Sequence, residues 1–108
     1  MPLSIITLEP KQPYEIVPYT FDFSRFPSIA QGDSISSVAF GIYDSTDAPS
    51  SPTLITAMVY ATSYTDETAT CDVGSGSDTE GAYILRCRIT CASGRRFEQE
   101  GIFEVKEI

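Results

Sequence analysis

Of the side chains that ordinarily carry chemistry, this sequence holds three cysteines, fifteen carboxylates and seven Lys or Arg residues, and it has no histidine. Without imidazole it lacks both the commonest general base near neutral pH and the commonest metal ligand, which removes most hydrolase triads. Cys71, Cys87 and Cys91 are odd in number and lack paired C-x-x-C spacing, so neither a disulfide framework nor a zinc knuckle is expected. A thiol nucleophile would need an adjacent base or a helix N-terminus to lower its pKa. Cys87 and Cys91 instead fall on the inward face of an extended run, as structural thiols do. Four residues apart on a strand, their α-carbons are separated by about 13 Å, too far for a disulfide. No catalytic residue, cofactor site or metal site is expected.

Four other groupings could do chemistry, and the first three each have a plainer reading beside them. Asp72, Asp78 and Glu80 could collect a calcium ion, but they lack the alternating ligands and central glycine of an EF-hand loop, so a solvated loop is the better account. Residues 74–78, GSGSD, have the glycine content of a phosphate cradle, yet a strand follows where an anion-holding helix should start, which makes them a turn. Arg86, Arg88, Arg95 and Arg96 form a candidate interface, a basic cluster that could dock an acidic partner. The plainer alternative pairs these arginines across strands with Glu98, Glu100 and Glu104. Tyr43, Tyr60 and Tyr64, if exposed, could act as stacking platforms for a sugar or another ligand.

The elements that must position these groups are strands. No stretch repeats apolar residues with helical period over ten or more positions, whereas several short runs alternate with period two. Proline and glycine fall between those runs, at Pro10, Pro13, Pro18, Pro27, Gly32, Pro49, Pro52, Gly74, Gly76, Gly81 and Gly94, where turns belong. The predicted strands are Ser4 to Leu8, Tyr19 to Phe23, Ile35 to Tyr43, Thr53 to Ser63, Thr68 to Val73, Ala82 to Cys91 and Phe97 to Val105. A loop is predicted through Pro27 and Gly32. Tyr19, Phe21 and Phe23 share one face, as do Val38, Phe40 and Ile42, and as do Tyr83, Leu85, Cys87 and Ile89. The predicted core is therefore Phe21, Phe23, Val38, Phe40, Ile42, Tyr83, Leu85 and Ile89. Between Thr53 and Ser63 both faces are apolar, and the pattern leaves the inward set open.

Ser93 and Gly94 turn the last two runs into an antiparallel hairpin. Asp78, Gly81 and Tyr83 precede Leu85 in the order of a tyrosine corner, where a Tyr near the start of the sixth strand bonds back to upstream backbone. About seven short strands with turns roughly every ten residues predict an all-β, immunoglobulin-like antiparallel β-sandwich. Leu85 then stands where antibody domains place their second cysteine, so packing alone pins the sheets.

A chain of 108 residues with a 42% hydrophobic fraction can bury one core, and a single domain over residues 1–108 is expected. A net charge of −8 repels phosphate backbones and anionic membranes, so neither nucleic acid nor membrane is an expected partner. The opening residues lack a basic region followed by a long apolar stretch, and no run approaches membrane-spanning length. Synthesis and retention in the cytosol are expected.

Taken in order, Lys11-Gln12-Pro13, Tyr19-Thr20-Phe21-Asp22-Phe23, Gly32-Asp33-Ser34-Ile35-Ser36-Ser37, Gly81-Ala82-Tyr83, Arg88-Ile89-Thr90, Ser93-Gly94-Arg95-Arg96 and Glu98 resemble the fiber-tail adaptor proteins of phages and prophages, small Ig-like virion proteins. The chain departs from them in carrying Phe23 and Phe40 where tryptophan is usual, and a longer stretch between Asp44 and Gly81. The resemblance implies a non-enzymatic virion component that assembles with phage tail, neck or fiber proteins, with a homo-oligomer also open. It implies synthesis in the host cytoplasm and residence in the virion once assembled. It also implies that Gly32-Asp33-Ser34 and Ser93-Gly94-Arg95 are turn chemistry that fixes the fold. A carbohydrate- or ligand-binding Ig-like module is the alternative.

Overall fold

Tyr19, Phe21 and Phe23 project to one side because side chains alternate along extended backbone, and all three are buried. The same rule, applied strand by strand, builds the molecule. A computed structural model describes residues 5–47 and 50–107, so Ser4 of the first predicted strand and Pro49 of the predicted turn positions lie outside the described residues.

The described strands are β1 (Ile6–Thr7), β2 (Val17–Asp22), β3 (Ile35–Asp44), β4 (Val59–Tyr64), β5 (Thr68–Val73), β6 (Gly81–Cys91) and β7 (Arg96–Val105). They form a four-stranded sheet in the order β1-β7-β6-β3 and a three-stranded sheet in the order β2-β5-β4. This all-β arrangement is the immunoglobulin-like one: the second, fourth and fifth strands face the third, sixth and seventh. All pairings are antiparallel except β1 with β7. The predicted hairpin is present, with β6 and β7 in register from Gly81↔Val105 to Thr90↔Arg96. Pro18 is accommodated because β2 is an edge strand, where the missing N–H faces away from the ladder.

The core lies between the sheets and takes Phe21 and Tyr19 from β2, Ala69, Cys71 and Val73 from β5, Tyr83, Leu85, Cys87 and Ile89 from β6, and Phe103 and Val105 from β7. Ile42 is fully buried, but Val38 and Phe40 are only half-buried against this core. They belong to β3, an edge strand, and an edge position is covered from one side only.

Three elements differ from their predicted form. Within the predicted loop, Pro27–Ala30 make one turn of helix, α1, started by a proline whose fixed φ suits the first helical position. The fourth strand begins at Val59 instead of Thr53, because Thr56–Met58 form a 3₁₀ turn that buries Met58. The first strand shrinks to two residues, but the chain beyond it keeps tracking β7 through Leu8 N–H donating to the Ile102 carbonyl at 2.8 Å and Lys11 N–H to Glu104 at 2.9 Å.

Candidate functional site

The residues that could do chemistry divide into those spent inside the fold and those left on its surface. Lys11 belongs to the first group. Its ammonium is fully buried, donates to Asp78 Oδ2 at 2.7 Å and to the Gln12 carbonyl at 2.7 Å. Asp78 also accepts from the Ser75 hydroxyl at 2.6 Å and the Ser75 amide at 3.1 Å. Burial works against its charge, but the bonds from Lys11 and Ser75 and the Lys11 charge outweigh it and hold the carboxyl below its ordinary range. The carboxylate considered for calcium is thus committed to a cation of the chain itself. Among the described residues no group of acidic or cysteine side chains gathers as a metal site.

Asp33 is a second internal hub. Its carboxylate accepts from the Ser28 hydroxyl at 2.6 Å, the Ser93 hydroxyl at 2.5 Å, the Ser34 amide at 2.9 Å and the Ser93 amide at 3.2 Å. It ties α1, the entry to β3 and the β6–β7 turn together. The Ser28 hydroxyl first, then that of Ser93, hold its pKa well below the usual carboxylate value. Tyr83 completes the set by donating its hydroxyl to the Thr79 carbonyl at 2.6 Å, the geometry of a tyrosine corner.

The three thiols lie in the core, free and buried. Burial pushes Cys71 and Cys87 up to about 12, and burial together with Asp33 raises Cys91. Protonated and shielded, they lack the thiolate character that nucleophilic catalysis requires.

Surface chemistry concentrates on the outer face of the four-stranded sheet. Cross-strand register sets Ser37, Thr90 and Arg96 in one row, Ala39, Arg88 and Glu98 in the next, and Gly41, Arg86 and Glu100 in a third. The first two rows line a shallow groove of about 530 Å³. Arg88 pairs with Glu98 at 2.6 Å with both side chains about half exposed, an ion pair worth no more than about 1 kcal/mol in water. Arg86 forms no ion pair among the described residues; its guanidinium lies 5.9 Å from the Tyr43 ring centroid. Glu104 pairs with Lys106 at 3.6 Å, not with an arginine. Arg95 and Arg96 are exposed and form no ion pair among the described residues.

Tyr43 is no stacking platform. It is 2% exposed, and its hydroxyl donates to Glu100 at 2.6 Å. The chain after β3 folds back over this end of the sheet, with Leu54 against Gly41 and Ile55 N–H donating to the Ile42 carbonyl at 2.7 Å. Tyr60 and Tyr64 on β4 are exposed, the latter donating to the Ser36 carbonyl at 2.7 Å.

A family description, podophage GP4 fiber-tail adaptor protein gp77, matches residues 11–104 of the chain. The chain belongs to this family. No curated protein matches it. The matched span of the fiber-tail adaptor family opens at Lys11 and closes at Glu104, the two residues joined by a main-chain hydrogen bond of 2.9 Å. Lys11, Asp33, Tyr83 and Ser93, all within that span, are the residues whose side chains knit the loops to the sheets. Sequence reasoning missed the role of Lys11, although its place at the head of the recognisable segments was a signal.

Proposed function

We propose that this chain is a structural component of a phage particle, a single domain over residues 1–108 that joins tail, neck or fiber proteins by association and performs no catalysis. The observation that carries this reading is the membership of residues 11–104 in the fiber-tail adaptor family. The internal chemistry supports it: the buried lysine, the carboxylate hubs and the thiols are all engaged in holding the scaffold, so what remains for function is surface. Arg95 and Arg96, with Arg86 and Arg88 beside them, offer a basic patch on a chain of net charge −8 and suit an acidic surface on a partner. The protein would be made in the host cytoplasm and carried in the virion. No helix among the described residues is long and apolar enough to cross a membrane.

The test is co-expression with the tail, neck and fiber proteins encoded by the same phage, followed by purification on a tag carried by this chain. Stoichiometric recovery of one of them is the expected result. A chain recovered alone from every combination, and absent from purified particles, would remove the adaptor reading.

A second reading, a carbohydrate-binding module, draws on the exposure of Tyr60 and Tyr64 along β4. It predicts glycan binding that Tyr60→Ala abolishes.

A further inference from the structure

The sandwich has strand edges, and they are not equally protected. β1 is two residues long. β2 carries Pro18 within it and is preceded by Pro10 and Pro13, which donate no hydrogen bond. β4 is broken by a register shift between Val59 and Ala61. β3 differs from these: from Ile35 to Tyr43 it reads ISSVAFGIY, without proline and without charge, and it is an edge strand of the four-stranded sheet, with β4 of the other sheet packed near it and touching its edge at Ser36.

Alternate residues of an edge strand direct their main-chain groups outward. On β3 the outward set is identified by its ends: the Ser36 carbonyl accepts from the Tyr64 hydroxyl and the Ile42 carbonyl from the Ile55 amide. Val38 and Phe40 lie between them in the same phase. Among the described residues, their outward N–H and C=O groups have no hydrogen-bond partner. Two residues apart, they repeat at about 6.8 Å, the spacing at which a second extended chain presents its own groups. Beside them Phe40, Ile42, Leu54, Ile55 and Val59 line a concavity of about 260 Å³, large enough for an aliphatic side chain of such a segment.

We propose that the β3 edge at Val38 and Phe40 is a strand-addition site, filled by a short extended segment of a tail or fiber protein that presents an aliphatic side chain toward Phe40 and Val59. The inference rests on the adaptor reading and specifies how one partner is held. The commitment to a strand follows from the ligand chemistry: a period-two row of unused amides and carbonyls is satisfied along its length only by another extended backbone. The groove on the outer face begins at Ser37, Val38 and Ala39 of the same strand and runs from this edge across β6 and β7.

The test uses the complex of the full chain with the co-expressed tail or fiber protein. Amide exchange at Val38 and Phe40 should be fast in the free chain and slowed at least tenfold in the complex. Val38→Pro removes an outward N–H that the fold does not use, so it should leave the circular-dichroism spectrum unchanged while weakening the complex at least tenfold. A complex that forms with both amides still unprotected overturns the proposal, whether or not Val38→Pro folds. Protection of these amides in a concentrated isolated chain, with dimerisation lost in Val38→Pro, overturns it in favour of pairing between copies. If the wild-type chain forms no complex with any of these proteins, the adaptor reading fails and this inference falls with it.

Discussion

Lys11 Nζ lies 2.7 Å from Asp78 Oδ2 with the two side chains 0% and 1% exposed, so an ion pair separated by 67 residues of sequence is sealed inside the fold. It fastens the segment that runs beside β7 to the turn preceding β6, where the Asp78 amide also donates to the Pro13 carbonyl at 3.0 Å. Removing one partner strands the other as an uncompensated buried charge. Lys11→Met and Asp78→Asn are therefore each expected to cost about 3–5 kcal/mol in urea unfolding, and the double variant less than their sum. Strict additivity, or single losses under about 1 kcal/mol, would show that the pair is open to water.

Acid sensitivity follows from the two carboxylate hubs. Asp33 and Asp78 both have pKa values below their ordinary ones in the folded chain, so the unfolded chain binds more protons. The stability they contribute is then whole above about pH 4, the ordinary carboxylate range, and drains as pH falls through the lower folded values. Urea midpoints measured from pH 7 downward should hold steady to that point and fall beneath it. Asp33→Asn should be less stable than wild type at pH 7, and the gap between the two should narrow progressively as pH falls below about 4. A gap that stays constant would separate the role of Asp33 from its charge.

How much of this was legible in the residues depends on the range of the interaction that decides each one. The β6–β7 hairpin and the aromatic face of β2 follow from neighbours two residues away along a strand, and the Tyr83 corner from a contact four residues back; all were readable. Lys11 was not, because a lysine is buried only when a distant partner meets it, and nothing between Pro10 and Gln12 announces Asp78. Tyr43 alternates correctly onto the outer face of its sheet but is buried there, its hydroxyl on Glu100 and its ring near the Arg86 guanidinium, partners two strands and one strand away. The proposed docking surface is the least legible part, since a surface arginine left unpaired by the fold and one paired across strands have the same sequence. Register separates Arg88, which meets Glu98, from Arg95 and Arg96, which meet no acid among the described residues.

Gly74 supplies a test of close packing between the β5 end and the β2 approach. Its φ is +141°, a region that L residues rarely enter, and a Cβ there would stand 2.4 Å from the Glu15 carbonyl oxygen. Backbone, not a flexible side chain, would have to move. Gly74→Ala should lose more than about 2 kcal/mol, combining the strained dihedral with that clash. Gly76→Ala, also at positive φ but with nothing within 4 Å, isolates the dihedral contribution and should cost less. Equal losses at the two sites would dismiss the clash.

Arg95 and Arg96 provide the sharpest separation of function from fold. Both are exposed, outside any ion pair among the described residues, and placed at the turn between β6 and β7. Surface substitutions free of such ties usually change stability by no more than about 0.5 kcal/mol, so Arg95→Glu/Arg96→Glu should unfold at nearly the wild-type urea concentration. If these charges steer an acidic tail or fiber surface toward the chain, the same double reversal should slow association while leaving dissociation nearly unchanged. The wild-type association rate should also fall as salt rises from low concentration to about 0.15 M, where charges more than about 8 Å apart are screened. In the charge-reversed chain that salt dependence should vanish or change sign, because the local attraction has become repulsion. Stopped-flow or biosensor kinetics at several salt concentrations read both effects, and an association rate indifferent to the reversal at low salt would remove the arginines from the docking surface while leaving the β3 edge in place.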